Sequence, residues 1–179
     1  MSKKVLVIST SLRNGSNSET LADSFASGAL AAGHDVEKIS LKDKNISFCK
    51  GCLACQKTQR CVIKDDASYI TDRIGSSDVV VFATPIYYYE MSGQMKTVLD
   101  RANPLFARDY SFRDVYMLST AAEGSEHAAQ RAVNGLKGWI ACFGKARLAG
   151  TVFAGGVNDA GDITGHTALQ KAFDMGKNV

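Results

Sequence analysis

Proline is almost missing from this chain: of 179 residues only Pro85 and Pro104 are proline. Both fall at the ends of expected elements, and no linker, internal repeat or low-complexity tract divides the sequence. Long apolar runs are missing too. None approaches the roughly 20 residues of a membrane span. The N-terminus enters a strand directly, without the apolar core and cleavage site of a signal peptide, so the cytoplasm is the expected compartment. Charge of one sign is scarce, with a formal net charge of +3 and Lys and Arg scattered. The dense basic stripe of a nucleic-acid binder is therefore absent. No G-x-G-x-x-G and no G-x-x-x-x-G-K-[ST] follows the first apolar run, which argues against a classical dinucleotide fold and a triphosphate P-loop. Neither a Ser–His–Asp spacing nor a carboxylate pair suited to glycoside hydrolysis occurs.

What is present is an ordinary globular balance, 45% hydrophobic and 22% charged, in a length that one domain over residues 1–179 accommodates with a proper core. Continuous apolar runs at 3–9 and 78–84 read as strands buried on both faces, as in parallel sheets. The second run is expected to stop at Pro85. Further strands are expected at 34–40, 113–120 and 146–154. Helices are expected at 17–32, with Leu21, Phe25 and Leu30 on one side and Gly33 as the stop, and from Asp65-Asp66 through Ile74. Others follow at 92–102, 124–143 and 165–176. Five strands alternating with five helices predict an α/β, three-layer sandwich: a parallel sheet with helices on both faces. The connection over 41–64 is long and irregular, and such loops are usually functional.

Ligands in such sheets sit beyond the carboxyl ends of the strands. The loop after the first strand, Ser9-Thr-Ser-Leu-Arg-Asn-Gly-Ser-Asn-Ser18, is rich in hydroxyls, carries Arg13 and enters a helix whose first N–H groups are free. Hydroxyls, amides and a helix dipole suit a phosphate monoester, hence a mononucleotide. After the third strand comes Thr84-Pro-Ile-Tyr-Tyr-Tyr-Glu-Met-Ser-Gly-Gln-Met-Lys96. Its tyrosines offer flat faces, and backbone N–H groups after the proline can meet the polar edge of a ring. Tyrosines alone pack into cores more often than they bind cofactors. Beside the first loop at one sheet edge, they point to a flavin.

With these residues in view, the chain resembles the NADPH-dependent FMN reductase family of flavodoxin-like folds. The resemblance rests on the S-x-S-x-R-x-x-S-N-S loop and on the T-P-I-Y-Y-Y-x-M-S-G-Q-M-K segment followed by Asp100-Arg101. It covers essentially the whole chain. It implies sheet order 2-1-3-4-5, with FMN phosphate on Ser9, Ser11, Arg13, Ser16, Asn17 and Ser18. It places the ring and ribityl chain on Pro85, Ile86, Tyr87 and Tyr88, and completes the site with the loop from Ser119 through Thr120 to Gly124. It also implies a homodimer or homotetramer with FMN near the subunit interface. NADH or NADPH would be the donor, and a quinone, free flavin, azo or nitro compound or metal ion the small-molecule acceptor. No catalytic side chain is expected, because the cofactor carries the chemistry.

Four of the five cysteines, Cys49, Cys52, Cys55 and Cys61, fall within thirteen residues as C-x2-C-x2-C-x5-C. In a reducing compartment such a group binds metal or does redox chemistry more often than it staples the fold. The run resembles that of iron–sulfur flavoproteins, where the four thiolates would ligate a 4Fe–4S cluster. Zinc sites more often come as two separated knuckles. Loop thiols without any cluster are the other alternative. Two rival functions follow: an electron carrier between ferredoxin-type partners, and a non-enzymatic flavin or redox sensor. Cys142 is expected to be a small buried residue, His127 a surface or capping residue, and Asp100–Arg101 a structural pair. Gly155-Gly156 either allows close approach to a ligand or partner or forms a simple turn.

Overall fold

The computed structural model describes residues 1–179. Strands β1 (Lys4–Ser9), β2 (Asp35–Ser40), β3 (Val79–Tyr87), β5 (Asp114–Thr120) and β6 (Arg147–Ala154) pair in parallel in the order β2-β1-β3-β5-β6. The sixth strand, β4 (Glu90–Met91), is a short return of the β3 chain, antiparallel to it through Ile86–Met91 and Tyr87–Glu90. Without β4, the path is the expected 2-1-3-4-5 arrangement of a flavodoxin-like fold. Helices α1 (Asn17–Ala31) and α6 (Thr167–Lys177) cover one face, and α3 (Asp66–Ser76), α4 (Gly93–Arg101) and α5 (Gln130–Ala141) the other. A short helix, α2 (Ala54–Thr58), interrupts the irregular 41–64 connection.

Alternate residues of the central strands feed the two cores, as the pleat requires. Val5, Val7, Val79 and Val81 meet Leu21 and Phe25 of α1. Leu6, Ile8, Val80 and Phe82 meet Ile70, Leu99 and Leu136 on the other side. Helices α1 and α6 approach through two reciprocal glycines. A Cβ on Gly28 would lie 2.0 Å from the Phe173 carbonyl oxygen, and one on Gly176 would lie 2.1 Å from that of Phe25. This contact anchors α1, whose N-terminus carries the hydroxyl-rich loop.

Several local expectations are corrected. Strand β3 runs through Pro85 to Tyr87, because its β1 neighbour has ended opposite Ala83 and a residue without N–H is tolerated where one strand edge is free. The expected helix over 124–143 is a 3₁₀ turn at Glu126–Ala129 followed by α5. Leu30 is exposed. The buried stripe of α1 is Leu21, Ala22, Phe25, Ala26 and Ala29, and Leu30 lies a further 100° round the helix. Cys142 is also exposed, because α5 buries Ala132, Leu136 and Ile140 at four-residue spacing and residue 142 points away from that stripe. Asp100 and Arg101 do not pair: Asp100 bonds Lys96 one turn back, while Arg101 turns inward to Asp65, since neighbours on a helix face different ways.

Candidate functional site

At the carboxyl end of the sheet a cleft of about 350 Å³ is lined by Ser11, Arg13, Ser16, Asn17 and Ser18 from the loop after β1 and by Pro85, Ile86, Tyr87 and Tyr88 from the end of β3. Thr120, Ala121 and Ala122 after β5, with Val157 and Asn158 after β6, close it. Four separate connections thus meet at one place. Three residues expected here are elsewhere. Ser9 is wholly buried at the end of β1 and its hydroxyl has no hydrogen-bond partner. Ser119 lines a neighbouring groove beside β6, because successive strand residues face opposite sides. Gly124 lies outside the cleft lining.

The loop after β1 is held in shape by its own hydrogen bonds. Gly15 takes φ +59°, which turns the chain into α1. The Ser16 hydroxyl caps α1 by accepting from the Glu19 N–H at 3.2 Å. The Ser18 hydroxyl lies 3.5 Å from it. Asn17 is used differently from what a ligand list implies. Its amide donates to the Asp159 carbonyl at 2.9 Å, and its oxygen accepts from the Gly161 and Ile163 N–H groups at 3.2 and 3.3 Å. The side chain therefore ties the loop after β6 to the N-terminus of α1. Arg13 donates to the Asn158 carbonyl at 2.7 Å and lies 3.6 Å from the Asp159 carboxylate. Free N–H groups at a helix start, hydroxyls and a guanidinium in one cradle fit a phosphate monoester.

The aromatic wall is strained. Tyr88 and Tyr89 form the two-residue turn between β3 and β4 and have φ of 51° and 66°. Positive φ at both centres is the type I′ pattern, normally given to Asn and Gly. Aromatic residues held there cost of order 1–3 kcal/mol each, and such strain clusters at ligand sites. None of the three tyrosines packs in the core: Tyr87, Tyr88 and Tyr89 are 55%, 97% and 51% exposed.

Residues that sequence reasoning passed over join the two walls. Thr10, Thr84 and Ser92 form a buried hydroxyl cluster, with Thr10–Ser92 at 3.0 Å and Thr84–Ser92 at 3.2 Å. Ser92 also caps α4 by accepting from Met95 N–H. That cap was readable as a Ser before a helix; its link to Thr10 was not. Gly155 has a definite reason: a Cβ there would stand 2.8 Å from the carbonyl oxygens of Glu123 and Gly124, so the loops after β5 and β6 need its bareness. His127 is exposed in the 3₁₀ turn, outside the cleft.

The cysteines lie on a separate loop. Cys49 and Cys52 are exposed, Cys55 is buried and Cys61 half-buried. No three Cys, His, Asp or Glu side chains come close enough together to hold a metal ion, so the expected gathering of four thiols around one centre is not formed. Residues 48–52 make one hydrogen bond, from the Gly51 N–H to Cys49 Sγ at 3.4 Å, and nothing draws this stretch toward Cys55 and Cys61. The donor set itself, four thiols on one short loop, suits a thiolate-bound cluster.

Both ends of that loop are clamped by Arg101. It donates to Asp65 Oδ2 at 2.7 Å and Oδ1 at 2.8 Å, to the Ser47 carbonyl at 2.6 Å and to that of Ile63 at 3.4 Å. Burial pushes the Asp65 carboxyl up, but the Arg101 guanidinium and the N–H groups of Ser47 and Ala67 outweigh it and hold the carboxyl below the usual range. Asn103 donates its amide N–H to Cys55 Sγ at 3.1 Å.

Residues 3–159 match the family model described as NADPH-dependent FMN reductase. An iron-sulfur flavoprotein of Methanosarcina thermophila is 24% identical over 173 residues, covering 96% of this chain and 87% of that protein. Another, from Archaeoglobus fulgidus, is 34% identical over 101 residues, 56% of this chain and 46% of its own length. This match therefore spans about half of that relative. Among solved structures, an NAD(P)H:quinone oxidoreductase from Methanothermobacter marburgensis superposes with a TM-score of 0.74 at 16% identity over 99% of both chains. That likeness is one of fold.

Proposed function

The chain belongs to the NADPH-dependent FMN reductase family, and from that premise we propose that it is an FMN-dependent oxidoreductase moving electrons from NADH or NADPH to a small acceptor. The acceptor class is a quinone, flavin, azo or nitro compound, or metal ion. The observation that carries this reading is the meeting of the hydroxyl-rich cradle and the tyrosine turn in one cleft. Bound FMN supplies hydride-accepting chemistry that no side chain here possesses. The chain's part is to seat it. Ser11, Arg13, Ser16 and Ser18, with the first N–H groups of α1, would hold the phosphate. Asn17 would hold the cradle's shape and offer its backbone N–H. Pro85, Ile86, Tyr87 and Tyr88 would flank the ring, with Thr120 and the small Ala121 and Ala122 opposite.

A cradle made for a terminal monoester favours FMN over FAD. Replacing Arg13 and Ser16 by Ala is expected to weaken FMN binding by about 1–3 kcal/mol per charged or buried hydrogen bond lost, measured by titration calorimetry with FAD in parallel. Unchanged FMN affinity in the double variant would refute the phosphate assignment. Residues 1–179 are read as one FMN-binding unit, working as a homodimer or homotetramer without nucleic-acid or membrane partners. No helix is long and apolar enough to cross a membrane. Clustered free thiols favour the cytoplasm as its compartment.

A second reading is favoured by the free thiols and by relatives named iron-sulfur flavoprotein: Cys49, Cys52, Cys55 and Cys61 ligate a 4Fe–4S cluster once the open 48–52 stretch folds over Cys55 and Cys61. Anaerobic purification with iron, acid-labile sulfide and FMN counts per chain tests it. FMN with neither iron nor sulfide would leave the plain reductase.

A further inference from the structure

The C-terminal end of α4 presents two hydrogen-bond donors to the cysteine loop. Arg101 is the last residue of α4 and Asn103 the first of the 3₁₀ turn after it. The backbone between and around them is fixed independently of the loop: Leu99, Ala102 and Leu105 are 4%, 0% and 1% exposed in the core. Whatever the 48–52 stretch does, these donors stay in place.

One donor meets an inner sulfur, and the other holds the chain two residues from the second. The Asn103 amide donates to Cys55 Sγ at 3.1 Å, a close contact for an N–H···S bond. The Arg101 guanidinium has five N–H groups, and four of them go to Asp65, Ser47 and Ile63. The fifth, on Nε, is buried without any acceptor. Cys61 lies two residues before Ile63, whose carbonyl this same guanidinium holds. A buried N–H without a partner is rare and calls for an explanation. A thiol is a weak acceptor, whereas a sulfur carrying negative charge is a strong one.

We propose that Asn103 and Arg101 are positioning residues for a sulfur-ligated centre in the cysteine loop, hydrogen-bonding Cys55 and Cys61 so as to fix these two sulfurs and raise the potential of the centre they bind. The proposal rests on the 4Fe–4S reading above. Its physical basis is that hydrogen bonds to ligand sulfur favour the more negative, reduced state of a cluster, and that outer donors orient ligands and tune the metal. Cys49 and Cys52 lack such side-chain donors: Cys49 Sγ accepts only a backbone N–H. Cys55 is thus already held by a side-chain donor, while Cys49 and Cys52 arrive with the open stretch.

The test uses the full chain with FMN, reconstituted anaerobically with iron and sulfide, as wild type, Asn103→Leu and Arg101→Lys. Iron and sulfide per chain, FMN content, melting temperature and the midpoint potential from an EPR-monitored titration are measured. Asn103→Leu keeps side-chain size and removes the donor. It is expected to keep its FMN and to show either a more negative cluster potential or loss of iron. Arg101→Lys keeps the charge but removes Nε, and is expected to lose iron. If that variant does not fold, Asn103→Leu decides. A potential and iron content unchanged in Asn103→Leu, beside a fully loaded wild type, would overturn the proposal and leave the cluster reading standing. A wild type that takes up no iron or sulfide would end both.

Discussion

Arg101 and Asp65 form an ion pair with side chains only 0% and 2% exposed. Breaking such a pair from one side leaves a buried charge uncompensated, which costs about 3–5 kcal/mol. Asp65→Asn is expected to lower stability by that order at pH 7. The pH dependence follows from the direction of the Asp65 shift. Its folded value lies below the unfolded one, so its contribution is complete above about pH 4, the unfolded aspartate range, and is lost as pH falls through the folded value. Melting curves between pH 2 and 7 should therefore converge for wild type and Asp65→Asn at the acid end. Curves that stay parallel throughout would mean the carboxylate is not held below its ordinary range. The sequence marked Asp65 only as a helix-opening carboxylate, a role it does fill as N-cap of α3. Its partner lies 36 residues on, at a distance no local pattern encodes.

Two elements carry geometry that substitution can probe. The first is the β3–β4 turn, where Tyr88 and Tyr89 take left-handed φ. Tyr89→Gly removes one strained aromatic and is expected to stabilise the FMN-free protein by about 1 kcal/mol, a gain a glycine's extra unfolded-state entropy partly offsets. Tyr88→Ala, by contrast, is expected to leave that melting curve nearly unchanged while altering flavin fluorescence. Unfolding of Tyr88→Ala without FMN would mean the exposed side chain has a packing role. The second element is the α1–α6 contact. Gly28→Ala places a Cβ 2.0 Å from a backbone oxygen, and since backbone cannot yield as a side-chain tip does, a loss of about 1–3 kcal/mol is expected. FMN affinity should fall with it, because α1 carries the phosphate cradle. A variant as stable as wild type would show that the helices separate freely.

For the whole molecule, the cleft joins the loops after β1, β3, β5 and β6, so a ligand there links both halves of the sheet. A ligand that binds only the folded state at 100 times its Kd adds about 2.7 kcal/mol. For a chain of this size, that corresponds to a rise of about 5–10 °C in melting temperature. FMN is expected to produce this rise in scanning calorimetry, and FAD at equal concentration a smaller one. A transition indifferent to FMN would place the flavin outside the cleft. Asn17→Ala separates seating from shape. Its three lost hydrogen bonds span 142 to 146 residues, so it should lower stability even without FMN, unlike Arg13→Ala at the exposed rim.

Beyond the strand order, which the family resemblance implied, the sequence by itself determined that the sheet is parallel with helices on both faces, where its two candidate loops lie, and the cysteine run. These are local signals: apolar runs, turn chemistry and spacing survive without knowledge of what packs on what. Only the tertiary structure decided which hydroxyls open into the cleft. Ser11, Ser16 and Ser18 do, whereas Ser9 is buried beside them. It also turned Asn17 into a tether between chain segments and left the cysteines ungathered, with Asn103 bonded to Cys55 alone. Such roles depend on contacts between residues tens to more than a hundred positions apart, and a side chain's neighbours across that separation are set by how the layers pack, not by the residues on either side of it.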